Sequence, residues 1–459
     1  MQVTVHNPRP VETGMYWWTN IAVAQEEGSR VFAPATHAYL TAYDGSLSLV
    51  DLAADDSSRP ASASAAADYF YDVTGAAEAA GTEVRPWIAA LDATGGGLAH
   101  VSTAPLVGRK LFVWGDTPGG RHWCDWLGGS TGAYFEIQAG LATTQYENLP
   151  MPAAATWRWR ETFLPVQVDD AARDAEWAEA VDAVGGVVAA ASDALGTAAI
   201  DRLTAVAEAA PERMLSQGAP WGALEAAVAD RFGADFVGLA GAPFEASVPG
   251  VGDYWNTLLA GADADVHDAA PHRAPESYVD GPLWDRLLAE APASWLTHYH
   301  RGVIAHAAGE SAKAVSHYEA SIRQRRTAWA LRGLGLALQA TDADAAIAHL
   351  TDAHALAPDI VPLSLELGTA LLAAGRAEEV RYFIAALPES TRALGRFRVL
   401  AIQAALAVGD REAAGMLLDE PFEVPDLREG ELSMSDLWRQ AFPERPVPAW
   451  YDFSMKPED

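Results

Sequence analysis

Cysteine is nearly absent from this chain of 459 residues, in which Cys124 is the single thiol. One thiol cannot form an intramolecular disulfide, and a zinc site would have to come from scattered His and carboxylate side chains. His298, His300 and His306 lack the i, i+4 spacing of a helical metal pair. The sequence therefore predicts a cytoplasmic protein with no metal and no cofactor.

Long apolar runs and positive charge are also scarce. The chain has no run of about eighteen apolar residues free of charge, and its start lacks a basic segment followed by an apolar one. Lys and Arg number 31 against 62 Asp and Glu, a formal charge of −31 that repels phosphate backbones and anionic lipid. These absences predict that the protein is not secreted by a signal peptide, and that neither a membrane nor nucleic acid is a partner.

The first 168 residues have the composition of β-strands. Segments 2–6, 30–32, 110–114, 134–139 and 156–168 are rich in β-branched and aromatic residues, with Gly, Pro, Asp and Asn between them. The last segment alternates with period two, which is typical of antiparallel sheets with two different faces. Residues 115–121 lack the Gly-Lys-Ser/Thr ending of a phosphate-binding loop, and we predict a turn between strands there.

From residue 171 onward the composition favours helices, because Ala, Leu and Glu dominate and apolar residues recur three or four apart. Breaks rich in Pro and Gly at 218–222, 238–252 and 269–282 divide this part. The predicted fold class is α+β multidomain. Its predicted parts are listed in chain order: a β-sandwich at 1–168, a helical linker region at 169–293, a repeat array at 294–420 and a tail at 421–459 that packs on the array.

A repeat of 33 residues runs through the predicted array. Gly302, Gly335 and Gly368 are spaced by that period, which next reaches Ala401. Such small residues allow two helices to cross closely. The turns between paired helices are predicted at Gly309, Asp342, Gly375 and Gly409. The pattern resembles the tetratricopeptide repeat and predicts three or four helix pairs between residues 294 and 418; an Ala-rich helical bundle is the alternative.

Tryptophan is concentrated in the predicted sandwich, which holds eight of the sixteen, mostly beside Tyr, Arg, Glu or Asp. Aromatic faces stack on sugar rings while neighbouring polar groups bind the hydroxyls, so this mixture predicts a saccharide site. The alternative is that the indoles fill the space between two sheets. The predicted binding residues are Trp17, Trp18, Asn20, Trp114, Asp116, Arg121, His122, Trp123 and Gln138.

Glu136 is the predicted catalytic residue. Alternation places it on one strand face with Gln138, where partial desolvation among aromatics would suit general acid/base chemistry at a glycosidic or hemiacetal oxygen. Glycoside hydrolysis needs a second carboxylate, and the sequence does not choose one. A solvent-facing or salt-bridged Glu136 is the alternative. The residues open for the second role are Asp116, Asp125, Glu147 and Glu161.

Several motifs together resemble a bacterial family of unknown function, numbered 5107, that is commonly followed by tetratricopeptide repeats. The motifs lie at 15–23 (MYWWTNIAV), 108–115 (GRKLFVWG) and 134–141 (YFEIQAGL). Shorter matches at 149–152, 221–225 and 426–430 extend the similarity along the chain.

The resemblance implies a β-supersandwich related to aldose epimerases and to carbohydrate-binding parts of glycoside hydrolases. In the epimerases a Glu on a late strand is the catalytic base, and Glu136 is similar in context. Their catalytic His would fall at Tyr16, so that His/Glu pair is incomplete here. Members of the family are expected to carry a further β-rich segment before the position of Met1, which makes this chain similar to the second half of a supersandwich.

Two functions follow as expectations. The first is a carbohydrate-active or carbohydrate-binding protein, glycosidase-like or epimerase-like if it is an enzyme, with a saccharide as its partner. The alternative is a non-enzymatic scaffold whose helical repeats bind a protein or peptide. Exposed strand edges invite pairing between copies, so a homo-oligomer is also expected.

Overall fold

The computed structural model of the protein describes residues 1–54, 57–129, 132–194, 220–234, 253–261, 278–427 and 431–456, with isolated residues between 202 and 213. Antiparallel sheets come first and helical repeats follow, as the sequence predicts. The chain forms two compact units, the first from Met1–Ala209, Leu427–Asp436 and Pro446–Asp459, and the second from Ala210–Asp426 and Leu437–Arg445. No described helix is long and apolar enough to span a bilayer.

The strands of the first unit pair antiparallel throughout. One sheet has the order β1-β13-β9-β8-β4, a second has the order β3-β11-β10-β7-β5-β6, and β2 pairs with β12. The strands are β1 Gln2–His6, β2 Thr13–Met15, β3 Trp18–Ala24, β4 Arg30–Phe32, β5 His37–Thr41, β6 Ser48–Asp51, β7 Ala67–Tyr71, β8 Trp87–Leu91, β9 Gly96–Ser102, β10 Gly108–Val113, β11 Tyr134–Gly140, β12 Leu149–Met151 and β13 Thr156–Gln167.

The core of this unit consists of the inward-facing side chains of both sheets and one helix that packs on them. Leu111 and Ile137 are fully buried there because their strands alternate between the core and the other face, and Val31 and Phe32 of the short strand β4 are both buried in the same core. The indole of Trp177 stacks on Phe32 at 5.7 Å and donates to the carbonyl of Ala35 at 2.7 Å. The helices are α1 Val73–Ala80, α2 Pro118–Gly128, α3 Asp170–Arg173 and α4 Trp177–Asp193.

The prediction of a simple turn between strands at 115–121 is wrong, because α2 begins at Pro118. Thr117 accepts a hydrogen bond from the Gly120 amide and Pro118 occupies the first turn, both of which favour a helix start. The buried face of this helix packs on the chain's own C-terminal segment: the Trp123 indole donates to the Phe453 carbonyl at 3.0 Å. Periodicity alone could not reveal that distant partner.

The tail at 421–459, which the sequence places on the array, is divided in the structure. Leu437–Arg445 belongs to the second unit, whereas Pro446–Asp459 belongs to the first. The first unit is therefore completed by residues from the far end of the chain.

The second unit is built from antiparallel helix pairs. Its repeats are formed by α8 with α9, α10 with α11, α12 with α13 and α15 with α16, which makes four pairs in the described residues. The helices are α5 Pro220–Phe232, α6 Asp253–Leu259, α7 Pro282–Glu290, α8 Trp295–Ala307, α9 Ser311–Gln324, α10 Ala328–Leu338, α11 Ala343–Leu356, α12 Val361–Ala373, α13 Ala377–Ala386, α14 Glu389–Arg392, α15 Gly395–Ala407 and α16 Arg411–Leu418, with α17 following at Ser433–Ala441.

The first helices of neighbouring pairs contact each other at two places, α8 with α10 and α12 with α15. No pair of second helices makes contact of that extent in the part of the chain that the structure describes. We call the side formed by the first helices the inner side of the array.

Three of the four predicted turn positions are glycines in a left-handed conformation, and the fourth is a helix N-cap. Gly309, Gly375 and Gly409 have φ of 74°, 74° and 81°, a left-handed conformation that favours glycine after a helix. Asp342 instead precedes α11 and accepts a hydrogen bond from the Ala345 amide at 3.0 Å. A helix N-cap replaces the glycine turn at this repeat.

Glycine at the close crossings makes room for one tyrosine. A Cβ added to Gly302 of α8 would lie 2.7 Å from the Tyr318 ring, and one added to Gly333 of α10 would lie 2.5 Å from it. Tyr318 of α9 is only 2% exposed and has little space to move. The two glycines thus hold a buried aromatic ring between consecutive repeats.

We expect Gly302→Ala and Gly333→Ala each to lower the free energy of unfolding by about 1–3 kcal/mol, because overpacking displaces the Tyr318 ring. Gly186→Ala is the matched control, since that helical glycine has open space around it and alanine favours helix. Urea unfolding followed by circular dichroism measures all three. Equal stability of Gly302→Ala and Gly186→Ala would contradict the packing argument.

Candidate functional site

The outer face of the six-stranded sheet carries an oriented carboxylate. On β11 the side chains of Phe135 and Ile137 are buried in the core, so those of Glu136 and Gln138 project outward, as alternation predicts. Gln138 Nε2 donates to Glu136 Oε2 at 2.8 Å, and Asn20 Nδ2 of β3 donates to the same oxygen at 2.7 Å. Glu136 Oε1 keeps no hydrogen-bond partner among the described residues and can accept a ligand hydroxyl.

A buried ion pair continues this polar surface across β10 and β7. Lys110 Nζ lies 2.6 Å from Asp68 Oδ1, with both side chains almost fully buried. Lys110 also donates to Gln145 Oε1 at 2.6 Å, and Gln145 Nε2 donates to Gln138 Oε1 at 2.6 Å. Polar contacts therefore run without a break from Asp68 to Glu136.

The sequence prediction missed Asp68, Lys110 and Gln145. A weak signal was available in the sequence. The short apolar run at 67–71 contains Asp68, and the one at 108–113 contains Arg109 and Lys110. A charge within a buried strand requires a partner. The choice of partners depends on strand order, which the sequence does not state.

The strand register decides the spacing of the two carboxylates. Glu136 and Asp68 both lie opposite Phe112, on the strands that flank β10. Two interstrand spacings separate their backbones by about 10 Å. Because Asp68 is held by the Lys110 ammonium, it is not free to act as a second acid or base beside Glu136.

Aromatic rings border the polar surface. The Trp18 indole covers Gly140, where an added Cβ would meet the ring at 2.2 Å, and meets Phe70 edge-to-face at 6.1 Å. Tyr146 contacts Phe70 at 6.0 Å from the loop after β11 and is 68% exposed. Trp114 is buried against Phe112 with ring centroids 4.6 Å apart. The face thus combines an exposed ring with hydrogen-bonding groups.

Trp17 lies elsewhere. Its ring meets Trp159 edge-to-face at 5.3 Å in a separate hydrophobic cluster, and its N–H donates to Thr19 Oγ1 at 3.2 Å. For Trp17 the structure supports the alternative, interior filling.

The remaining predicted residues surround α2. Asp116 and Arg121 form an exposed ion pair with each other. The His122 ring lies 4.0 Å from that of Phe453, and Trp123 is 1% exposed against the same C-terminal segment. Their partners are thus each other and the chain's own tail, which gives them a structural explanation.

Glu161, one of the four residues open for a second carboxylate, is fully buried. It accepts hydrogen bonds from Thr19 Oγ1 at 2.6 Å and Trp159 Nε1 at 3.0 Å, and His100 Nε2 lies 3.1 Å away. Burial opposes the charge, but the hydrogen bonds from His100, Thr19 and Trp159 outweigh it and lower the pKa of Glu161. Desolvation lowers the pKa of His100. This network joins β3, β9 and β13, and the side chains of Glu161 and His100 within it are fully buried.

Of the other three, Asp116 is paired as described and Asp125 is exposed on α2. Glu147 accepts hydrogen bonds from the amide and hydroxyl of Thr144 within the loop after β11.

The alternation of buried and exposed residues in β13 shifts by one residue after Glu161. Trp159 and Glu161 are buried, but Phe163 is exposed and Leu164 is buried. The uniform alternation predicted for β13 therefore ends there.

We expect Glu161→Gln to lower the free energy of unfolding at pH 7 by about 2–4 kcal/mol, because three donors lose a charged acceptor. The pKa of Glu161 is lower in the folded than in the unfolded state, so its contribution is present above the unfolded pKa and is lost as pH falls through the folded value. The variant and wild type should therefore converge in acid.

Thermal unfolding from pH 7 down to pH 3 measures this difference, with the exposed Glu12→Gln as control. A difference that stays constant over that range would show that ionisation of Glu161 is not the cause.

Comparison with known proteins agrees with both halves of the fold. Residues 1–171 match the family model described as Domain of unknown function (DUF5107), and residues 337–406 match a tetratricopeptide repeat model. The resemblance drawn from the sequence motifs is thereby confirmed.

A crystal structure of a TPR-domain containing protein from Parabacteroides distasonis superposes with a TM-score of 0.61 at 14% identity, covering 99% of this chain and 70% of that one. It shows that the fold is shared. YrrB, a TPR protein with an unusual peptide-binding site, matches at 19% identity with a TM-score of 0.27, covering 30% of this chain and 72% of its own. TTC0263, a TPR protein from Thermus thermophilus, matches at 18% sequence identity with a TM-score of 0.24, covering 30% of this chain and 77% of its own. No curated protein matches this chain.

Proposed function

We propose that this chain is a non-enzymatic interaction protein whose helical repeats bind an extended peptide segment of a partner protein. The observation that carries the proposal is an aromatic pocket of about 360 Å³ on the inner side of the array, between α8 and α10. Solenoids of helix pairs present such inner surfaces to their ligands. The residues that give it its character are Tyr278, Tyr299, His306, Tyr318, Trp329 and Arg332.

The pocket is aromatic and its charge is balanced. Arg332 Nε and Nη2 bind the Glu366 carboxylate at 2.7 and 2.6 Å, so its guanidinium is already neutralised. Burial raises the pKa of Tyr299 and Tyr318, which keeps both hydroxyls protonated. An apolar or aromatic side chain suits this surface better than an acidic one.

The Trp329 ring lines the pocket, but its N–H does not supply a free donor to a ligand. The indole nitrogen is buried and has no acceptor among the described residues. The indole therefore contributes apolar ring surface, which suits an extended peptide with a large apolar side chain.

We expect peptides selected on the full-length protein from a random extended library to contain a large apolar or aromatic residue. Trp329→Ala should weaken their binding at least about tenfold, as loss of a buried aromatic anchor does. The matched control is Tyr382→Ala, which removes a ring 76% exposed on the second helix α13. Fluorescence anisotropy measures the affinities, and circular dichroism checks the fold.

Selected peptides that bind Trp329→Ala as well as wild type would contradict this pocket as the site. Equal weakening by Tyr382→Ala would place binding outside the inner surface.

The outer face of the sheet favours a second function, the binding of a saccharide. The unpartnered Glu136 Oε1 is an acceptor, the amides of Asn20 and Gln138 fix its orientation, and the Trp18 and Tyr146 rings offer apolar surface. Because Asp68 is neutralised by Lys110, this geometry supports binding better than hydrolysis by a carboxylate pair.

A panel of mono- and oligosaccharides should include one that changes the tryptophan emission, since Trp18 lies on the same sheet face as Glu136. Glu136→Ala should weaken that ligand about tenfold by removing a charged acceptor, whereas the exposed Glu12→Ala should not. Isothermal titration calorimetry measures both. A panel without any saturable ligand, or equal affinity of Glu136→Ala and wild type, counts against the saccharide site.

A further inference from the structure

A large groove lies in the first unit, away from the outer face of the six-stranded sheet. Its volume is about 1080 Å³, and its long walls are α1 on one side and α4 on the other. The segments at 34–36, 82–87 and 101–104 supply the remaining lining. Neither the repeats nor the Glu136 surface uses this space, which is large enough for a small-molecule ligand.

Small residues line both helical walls of the groove. Ala76, Ala77 and Ala80 line the groove from α1, and Gly185 and Ala189 line it from α4. These short side chains leave the width of the groove open to a ligand.

An indole forms part of the surface. Gly185 of α4 lies against the Trp87 ring, since an added Cβ would lie 3.3 Å from it. Trp87 is 7% exposed and lines the groove together with Val84 and Val101. Apolar and aromatic groups thus dominate the surface that a ligand would contact.

The charged groups of the groove are mostly acidic. Glu83, Asp182 and Asp193 line it, against the single guanidinium of Arg85 in the described lining. The C-terminal ends of α1 at Ala80 and α4 at Asp193 also reach it, and helix C-termini carry partial negative charge. The electrostatic potential therefore favours a cation over an anion.

We propose that this groove binds a small amphiphilic cation, an elongated apolar body that carries one ammonium group. The apolar body lies along the alanine and glycine walls of the groove. The ammonium is attracted by Asp182, Asp193 and the two helix ends. This site is independent of the peptide pocket and of the Glu136 surface.

The probe is decyltrimethylammonium at concentrations far below those at which it forms micelles, tested on the full-length protein by isothermal titration calorimetry. We expect saturable binding, and at least tenfold weaker binding of its anionic and neutral analogues, decanoate and decanol. Asp182→Asn with Asp193→Asn should weaken the cation severalfold and leave decanol unchanged.

Two pairs of neighbouring substitutions test the location. Gly185→Leu fills the groove, whereas Gly186→Leu on the same helix points into open space. Ala80→Leu lines the groove, whereas Ala79→Leu is exposed outside it. We expect the first member of each pair to weaken binding at least tenfold and the second to leave it unchanged, with unfolding curves to confirm that each variant folds.

Absence of saturable binding, equal binding of decanoate, or equal effects of the two members in both pairs would overturn the proposal. Displacement of the cation by an amphipathic basic helical peptide, with a higher affinity than any small cation tested, would also overturn it and assign the groove to a protein partner.

Discussion

The buried ion pair between Lys110 and Asp68 is the interaction on which the outer face of the sheet depends. Two charges removed from water are tolerated only when other groups satisfy them. Gln145 provides the ammonium with an acceptor, and the rings of Phe70 and Phe112 lie 5.6 and 5.5 Å from it. The loop that carries Gln145 is thereby held against the sheet, and Asp68 is withdrawn from acid/base chemistry. What remains available to a ligand is Glu136.

Charges are also paired on the inner side of the array. Arg332 and Glu366 neutralise each other, and the tyrosine hydroxyls stay protonated, so the proposed selection at this pocket is by shape and aromatic contact. The groove between α1 and α4 differs, because its carboxylates outnumber its guanidinium. On a chain with a formal charge of −31, the three sites are thus distinguished by how far their charges are matched locally.

Local alternation placed the predicted residues of one strand on the sheet face where they lie, whereas composition gave no information on where each tryptophan lies. Glu136 and Gln138 share a face because side chains in a strand alternate, and no distant information is needed. Tryptophan content could not separate Trp18, which borders the outer face, from Trp123, which packs on a segment 330 residues away along the chain. An indole is equally suited to a core and to a ligand, so only its neighbours decide.

The sequence by itself determined that strands come first and helices follow, the two faces of β11 and the period of the repeats, because these follow from composition, from spacing within a few residues or from a constant interval. The tertiary structure alone decided which strands are neighbours, that Lys110 pairs with Asp68, that Glu161 is enclosed by Thr19, Trp159 and His100, and that the C-terminal segment completes the first unit. Each of these pairs residues far apart in the chain. The stability of these contacts depends on burial and on hydrogen bonds between side chains that meet only in the folded protein. No local sequence pattern encodes those meetings.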